Sequence, residues 1–407
     1  MPDDIPTALP EIRCPHFGEC GGCKSQDVAY AAQVAAKSEA LGALFADYWA
    51  APIRVTPSPV IWHYRNKIDP AFDRMRYPEP PPKDFVRETV LGFKKQGQWY
   101  WPLDIDECHI GPEGASALLQ ATRHWYRQHG IRAWDNRTKD GVLRYLLVRD
   151  GKRSGEKMVV LITHEGELDC APFVELAQAS YGATSIYRGY FTGRSDVATA
   201  ERLELIAGSP YITETLHLPD AGRTRALQFR ISPLSFFQTN PLATENLYSA
   251  IRGHIRAIAP PSLYDLYGGA GGIAFSCSDL VEKIWSVEEV EPATDDGRHN
   301  ARVNGIENVQ FITAKTEQYL NARRGEGGLA SGATVILDPP RSALHPKVIK
   351  RLLEFLPEHI IYVSCNPKLL ARELAAFAEA YDLASLEAFD LFPHTPHVEA
   401  LAVLKRR

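Results

Sequence analysis

The sequence predicts an α/β fold, with a Rossmann-like, doubly wound domain over residues 236–407 and a smaller α+β domain over residues 61–235. Strands and helices alternate in the C-terminal part, whereas short strands dominate the part before it. A glycine-rich turn follows the first strand of the alternating part, where doubly wound folds place such a turn. The length of 407 residues is enough for two domains with buried cores.

Two N-terminal segments precede the α+β domain. Residues 1–28 are rich in cysteine, and we assign them to the central domain. Residues 29–60 contain a predicted helix, AYAAQVAAKSEALGALFADYW at 29–49, whose apolar residues have helical spacing, followed by a proline-rich linker.

The cysteine pattern suggests a metal or cluster site. Three of the seven cysteines, Cys14, Cys20 and Cys23, are close together in the chain, and Cys108 lies in the segment DECHIGP. Four thiolates suit a zinc ion or an iron–sulfur cluster. Zinc sites usually use two Cys-x-x-Cys pairs and this chain has one, so the spacing favours a [4Fe–4S] cluster without excluding zinc.

The α+β domain is predicted from short extended segments around one helix. VLRYLLVRD and KMVVLITHE read as strands joined by the polar turn DGKRSGE, and TSIYRGYF and LQFRISPLSFF also look extended. ASALLQATRHWYRQHG is the predicted helix. This pattern favours an antiparallel sheet.

The C-terminal domain is predicted from regular alternation. Its helices are NPLATENLYSAIRGHIRAIA, ATDDGRHNARVNG, HPKVIKRLLEFL and PKLLARELAAFAEA, and its strands are SLYDLY, KIWSVEEV, VQFITA, TVILDPP, HIIYVSC, SLEAFDLF and EALAVLKR. Apolar strands that alternate with helices predict a mainly parallel sheet covered on both faces.

Composition limits the partners that we expect. The chain is 45% hydrophobic and has neither an apolar run long enough to span a bilayer nor a signal-peptide pattern, so we expect a cytoplasmic protein without a membrane partner. A net charge of −5 argues against nucleic acid unless basic residues gather on one face. The local basic groups are Arg65/Lys67, Arg74/Arg76, Lys94/Lys95, Lys152/Arg153 and Lys347/Lys350/Arg351.

The turn Asp265-Leu-Tyr267-Gly-Gly-Ala-Gly-Gly272 predicts a cofactor site. Glycines let the backbone turn tightly and approach a ligand, and Glu288 at the end of the next strand can bind ribose hydroxyls. The same spacing satisfies the dinucleotide fingerprint. The turn therefore indicates an adenosine-type cofactor and leaves S-adenosylmethionine and NAD as alternatives.

Three further motifs lie at predicted strand ends of the C-terminal sheet. Asp338-Pro-Pro-Arg closes one strand, Cys365 in Ser-Cys-Asn-Pro follows another, and Glu399 begins the last. A thiolate can add to carbon 6 of uracil and make carbon 5 nucleophilic, and a helix N-terminus is expected to lower the pKa of that thiol. A carboxylate such as Glu399 can then remove the carbon-5 proton, with His394 or His397 as competing bases.

Together these motifs resemble the RNA 5-methyluridine methyltransferase family. The resemblance runs from Cys14 to nearly the C-terminus. Its specific elements are Cys-x5-Cys-Gly-Gly-Cys, Tyr64-Arg-Asn-Lys, Ser235-Phe-Phe-Gln-Thr-Asn, Asp-Pro-Pro, Ser-Cys-Asn-Pro and Pro-His-Thr-x-His-x-Glu.

The resemblance implies an S-adenosylmethionine-dependent methyltransferase domain and a central RNA-binding, iron–sulfur domain. It implies that Cys365 is the nucleophile and Glu399 the base. The implied cofactor contacts are Gln238, Tyr267, Glu288 and Asp338, and the implied ligands of a [4Fe–4S] cluster are Cys14, Cys20, Cys23 and Cys108. It also implies that the 29–49 helix packs on the methyltransferase domain.

The implied substrate is a uridine in RNA. Thirteen residues precede Cys14, so we expect the small N-terminal OB-like domain of many members to be absent, and this favours 23S rRNA as target. A uridine of the tRNA T-loop is the alternative. We expect the protein to act as a monomer.

Two other classes of protein remain possible from the residues. An NAD-linked iron–sulfur oxidoreductase would explain the glycine turn and the cysteines but not Cys365 and Glu399. A metal-stapled RNA-binding protein without catalysis would bind no such cofactor.

Overall fold

The computed structural model describes residues 12–82, 85–220 and 222–407. Residues 1–11 of the cysteine-rich segment therefore lie outside the described part. Numbered in chain order, the helices are α1 Tyr30–Leu44, α2 Ala115–Gln128, α3 Ala171–Tyr181, α4 Pro241–Ile258, α5 Gly272–Cys277, α6 Glu291–Val303, α7 Thr316–Gly325, α8 Pro346–Phe355 and α9 Pro367–Phe377. The strands are β1 Val55–Thr56, β2 Lys67–Ile68, β3 Ala71–Arg74, β4 Thr89–Lys95, β5 Gln98–Asp104, β6 Leu143–Asp150, β7 Lys157–Thr163, β8 Ser185–Tyr190, β9 Arg202–Gly208, β10 Ile212–Asp220, β11 Arg223–Ile231, β12 Ser262–Leu266, β13 Lys283–Glu288, β14 Val309–Thr313, β15 Thr334–Leu337, β16 His359–Ser364, β17 Tyr381–Phe389 and β18 Glu399–Arg406.

The C-terminal sheet has the predicted doubly wound form. Its strand order is β1-β17-β18-β16-β15-β12-β13-β14, with β12 to β16 parallel and β18 inserted antiparallel between β16 and β17. Adjacent residues of the apolar strands belong to two different hydrophobic cores, one on each face of the sheet, as Leu263 and Tyr264 of β12 do. Both faces of the sheet are therefore covered, and the predicted α/β fold is confirmed.

The central sheet is mostly antiparallel, in the order β5-β4-β3-β6-β7-β8-β9, with β2 on β6. The predicted β6–β7 hairpin is present. One pair, β7–β8, is parallel, and α3 makes the connection between these strands. Helices α3 and α7 were not predicted from the sequence, because each buries few residues and shows weak helical periodicity.

The hairpin of β10 and β11 joins the two sheets. Leu216, Leu227 and Phe229 share a core with Leu247 and Ile251 of α4. The sequence placed the start of the methyltransferase domain at residue 236, after this hairpin, but the hairpin packs largely on the helices that follow it.

Helix α1 packs on the C-terminal sheet. Tyr30 donates a hydrogen bond to Asp390 at 3.0 Å, and the Lys37 ammonium lies 2.7 Å from the same carboxylate. Strand β1 then extends that sheet by pairing with β17. The helix ends at Leu44, before the 49 predicted, because the chain turns there toward β1. None of the helices described is both long and apolar enough to cross a membrane.

Candidate functional site

Strand register places three predicted cofactor residues in one row. Leu266 of β12 pairs with Val287 of β13 and with Leu337 of β15. The next residue of each strand or strand end is Tyr267, Glu288 or Asp338, so these three side chains begin at the same level of the carboxyl edge. Ligands bind at this edge in doubly wound sheets.

Cys365 and Glu399 lie opposite each other at the same edge. Ser364 of β16 pairs with Ala400 of β18 in antiparallel register. The residue after Ser364, Cys365, therefore lies beside the residue before Ala400, Glu399. Pro367 starts α9 directly after the thiol, as predicted. Two motifs far apart in the chain therefore meet across one strand pair.

Carboxyl groups surround the thiol. Glu399 is 3% exposed, and burial together with Asp338 raises the pKa of its carboxyl well above the usual value. Burial, with Asp265 as a second cause, raises the pKa of Asp338 to about 7. Both acids therefore keep their protons to a higher pH than ordinary surface carboxyls do.

The expected lowering of the thiol pKa is wrong for this structure. The pKa of Cys365 is raised to about 11, first by burial and then by Glu399 and Asp338, against a smaller lowering by Arg341. Desolvation and two acidic neighbours outweigh the helix N-terminus, because each acts at short range on a half-buried sulfur.

The glycine turn is shaped for close approach of a ligand. Tyr267 and Gly271 have positive φ angles of 65° and 88°. A Cβ on Gly271 would meet the Phe275 ring at 2.7 Å. Glu288 accepts hydrogen bonds from the backbone N–H groups of Gly269 at 3.1 Å and Val290 at 2.8 Å, which holds the turn against β13.

Gln238 connects this turn to the central domain. The side-chain amide of Gln238 donates a hydrogen bond to the Asp338 carboxylate at 3.2 Å. The backbone carbonyl of Gln238 accepts a hydrogen bond of 3.0 Å from the side-chain amide of Asn66. Tyr248 and Asp265 line the same small cavity as Gln238, Tyr267 and the turn glycines. Sequence reasoning did not select Tyr248, because a tyrosine inside an amphipathic helix resembles any core residue.

The two candidate histidines have different surroundings. His394 is 3% exposed, stacks on Trp62 with ring centroids 4.1 Å apart, and pairs with the Gln33 amide at 3.2 Å. Burial lowers the pKa of His394 to about 4. His397 instead receives a 3.2 Å hydrogen bond from Arg341, on the side of the thiol. His394 therefore acts as a packing residue of the loop before Glu399.

The four predicted cluster cysteines line one cavity of about 580 Å³, which we call the cysteine cavity; they are Cys14, Cys20, Cys23 and Cys108. Arg65 lines it too, and its guanidinium faces Tyr64 and the thiols of Cys108 and Cys23. Within the described ranges, no three His, Cys, Asp or Glu residues are arranged to hold a single metal ion.

Several predicted basic groups are engaged in ion pairs. Lys94 lies 2.7 Å from Asp73 and Lys152 lies 2.9 Å from Asp150. The remaining pairs in these groups include Arg153 with Glu245, Arg74 with Asp140, Lys95 with Glu19, Lys67 with Asp69 and Arg351 with Glu354. These pairs reduce the charge that such clusters offer to a polyanion.

Comparisons with known proteins match most of the chain. The family described as tRNA (uracil-5-)-methyltransferase matches residues 195–407. An uncharacterized RNA methyltransferase of Caldanaerobacter subterraneus is 32% identical over 97% of this chain and 85% of its own length. The tRNA (uracil(54)-C(5))-methyltransferase of Pyrococcus horikoshii is 33% identical over 96% and 85%. The crystal structure of Pyrococcus abyssi tRNA (uracil-54, C5)-methyltransferase with S-adenosyl-L-homocysteine matches with a TM-score of 0.71 and 29% identity, over 93% of this chain and 84% of that chain.

Proposed function

The chain belongs to the tRNA (uracil-5-)-methyltransferase family of S-adenosylmethionine-dependent RNA methyltransferases, and on that premise we propose that Cys365 and Glu399 carry out the methylation of uridine carbon 5. The observation that carries this proposal is the register of β16 and β18, which brings the thiol and the buried carboxyl side by side at the cofactor edge of the sheet. Bound S-adenosylmethionine supplies an electrophilic methyl group.

In the proposed reaction the Cys365 thiol first gives its proton to water. The thiolate then adds to carbon 6 of uracil, and the electron pair of the 5,6 double bond moves to carbon 5. That electron pair forms the bond from carbon 5 to the methyl group, and the bond between the methyl group and the sulfonium sulfur of S-adenosylmethionine would break with its electrons staying on that sulfur. Glu399 then accepts the carbon-5 proton, the double bond re-forms and the carbon–sulfur bond breaks, which returns the thiolate.

The acids around the thiol affect its protonation. Burial raises the pKa values of Glu399, Asp338 and Cys365, the last to about 11, so the protonated forms of all three groups are favoured. A cation close to Asp338 would favour the charged forms of both acids. We therefore propose that Gln238, Tyr267, Glu288 and Asp338 bind the positively charged cofactor and that its charge helps to ionise Glu399.

The experiment compares two variants on unmodified RNA. Cys365→Ala should give neither 5-methyluridine nor a covalent complex. Glu399→Gln should methylate the RNA but release it about 10²–10⁴-fold more slowly, because loss of a general base costs that much. The trapped species is a thioether between Cys365 and 5-methyl-5,6-dihydrouridine, which denaturing gels reveal as a protein–RNA band.

The matched control is Cys277→Ala, because Cys277 lies buried in α5 and does not line the small cavity at the glycine turn, so this variant should leave adduct formation intact. Methylation by Cys365→Ala would contradict the nucleophile assignment. Normal turnover by Glu399→Gln without accumulated adduct would move the base to His397 or Asp338.

The RNA target is proposed from the relatives. Both named relatives that carry a target are tRNA uracil-54 enzymes, so we propose a uridine of tRNA as the first substrate to test. The 23S rRNA predicted from the sequence is the second. Mass spectrometry of both RNAs from cells without the gene decides between them, because the true target loses its 5-methyluridine.

We propose that the cysteine cavity holds a [4Fe–4S] cluster. The four cysteines that line this cavity would hold such a cluster through their thiolates. Arg65 supplies a buried positive charge facing the thiols. Protein purified without air should be brown with about four iron atoms, and Cys23→Ser should remove the colour. One zinc and no colour would contradict the proposal.

A further inference from the structure

A groove on the central sheet combines exposed aromatic rings with basic side chains, and we call it the aromatic groove. Its cavity measures about 650 Å³ and is lined by six basic and four acidic side chains. This local excess of two positive charges contrasts with the net charge of −5 for the chain. The groove is therefore a place where this acidic protein can attract a polyanion.

Two neighbouring aromatic side chains of β5 border the groove. Trp99 is 76% exposed and Tyr100 is 43% exposed. Their rings meet edge to face with centroids 5.8 Å apart, and the Arg76 guanidinium lies 5.7 Å from the Tyr100 centroid. Such an exposed tryptophan leaves a large apolar face in water, which a stacked nucleobase would cover.

Some basic side chains of the groove form ion pairs with acidic residues, and others are exposed to solvent. Lys94 is held by Asp73 at 2.7 Å, and Arg74 pairs with acidic residues of the loop after α2. Arg76 and Arg137 are exposed and line the cavity beside the aromatic rings. These two guanidinium groups are the ones best placed to contact phosphates.

The groove is continuous with surfaces that reach the catalytic edge. It shares four lining residues with the cysteine cavity, namely Asp69, Phe93, Lys94 and Trp99. The cysteine segment in turn contacts the loop before Glu399, because the Lys24 N–H donates to the His394 carbonyl at 2.8 Å. The groove, the cysteine segment and the loop before Glu399 are therefore connected by direct contacts.

We propose that the aromatic groove binds a single-stranded stretch of the same RNA that carries the target uridine, with bases stacked on Trp99 and Tyr100 and phosphates at Arg76 and Arg137. The inference rests on the proposed function, since that function makes RNA the substrate. Single-stranded RNA fits better than a duplex, because duplex bases are already stacked and cannot cover an exposed aromatic ring.

The test uses the full protein and two probes, a short fluorescein-labelled oligouridylate and a duplex RNA of the same length. Trp99→Ala/Tyr100→Ala should weaken oligouridylate binding by about 5- to 150-fold for each stacked base lost. Arg76→Gln/Arg137→Gln should reduce the slope of log affinity against log salt by about 0.7 per side chain. The matched control is Leu205→Ala, an exposed residue of β9 at the opposite edge of the same sheet.

Methylation kinetics separate this inference from the proposed function. With a long RNA substrate, Tyr100→Ala should raise KM and leave kcat unchanged, because Tyr100 lines the groove and does not line the cysteine cavity. If a groove variant still methylates RNA with unchanged KM and unchanged oligouridylate affinity, the RNA-binding role of the groove is refuted and the proposed function is not. Tighter binding of the duplex than of oligouridylate would also refute that role. Failure of the wild-type protein to methylate any uridine would overturn the function on which the inference rests.

Discussion

Asp265 should make the stability of this protein fall as the pH rises. The side chain is fully buried in β12, and its Oδ2 accepts a hydrogen bond of 3.2 Å from the Ser286 hydroxyl. Its Oδ1 has no hydrogen-bond partner in the described part of the chain. Burial therefore raises the pKa of Asp265 to about 7, compared with about 3.9 for an aspartate in an unfolded chain.

The direction in which the free energy of unfolding changes with pH follows from proton binding to Asp265. Between about pH 4 and pH 7 the folded state keeps a proton that the unfolded state has released, so the free energy of unfolding decreases with rising pH and levels off above about 7. A shift of about three pH units corresponds to about 4 kcal/mol. Asp265→Asn removes this contribution, because the amide does not titrate and can still accept the hydrogen bond from Ser286.

The assay is urea denaturation, followed by circular dichroism, at several pH values from about 5 to about 8. The variant should match the wild type near the acidic end and exceed its free energy of unfolding by about 2.5 kcal/mol at the basic end, because about 1.5 kcal/mol of the total is already lost below about pH 5. Asp47→Asn, an exposed carboxylate after α1, is the control and should show no such divergence. Parallel curves for wild type and Asp265→Asn would refute the reasoning.

Three further predictions concern packing and reactivity. Lys37→Met should cost about 3–5 kcal/mol in urea denaturation, because it leaves the buried Asp390 carboxylate without its cation, and a loss below about 1 kcal/mol would contradict this. Gly271→Ala should lower the melting temperature and weaken S-adenosylmethionine binding in calorimetry, because the φ of Gly271 is 88° and an added Cβ would clash. The control is Gly253→Ala inside α4, where an added Cβ meets no atom within 4 Å; it should stabilise the fold by about 0.5–1 kcal/mol. Alkylation of Cys365 by iodoacetamide, mapped by mass spectrometry, should accelerate about tenfold per pH unit between about pH 7 and 9 because the thiol pKa is about 11; a rate independent of pH would contradict that pKa.

Motifs at strand ends were the part of the site that sequence reasoning could locate. Apolar strands followed by Asp338 or Cys365 predicted side chains at a carboxyl edge, and the sheet has such an edge there. Sequence alone could not predict that Cys365 lies opposite Glu399, because this depends on insertion of β18 between β16 and β17. Strand order arises from packing of distant segments and leaves no local pattern.

The electrostatic environment of the site residues was harder to predict from the sequence than their position in the fold. The helix N-terminus after Cys365 suggested a lowered thiol pKa, but burial and the neighbouring carboxyls act in the opposite direction. His394 looked like a competing base, yet it is packed between Gln33 and Trp62 from other parts of the chain. Both outcomes depend on desolvation by neighbours that are far away in sequence.

The sequence by itself determined the alternation of strands and helices, the glycine turn and the chemical identity of the residues at the strand ends, because these depend on local periodicity and residue type. Only the tertiary structure decided which of those residues meet, how buried they are and which basic side chains are neutralised. Cys14, Cys20, Cys23 and Cys108 line one cavity, and there Cys20 forms a β-bridge with Lys95 of β4, a contact between segments some distance apart in the chain. Burial and register are properties of the assembled sheets, and for that reason they set the charge states at Cys365 and Glu399.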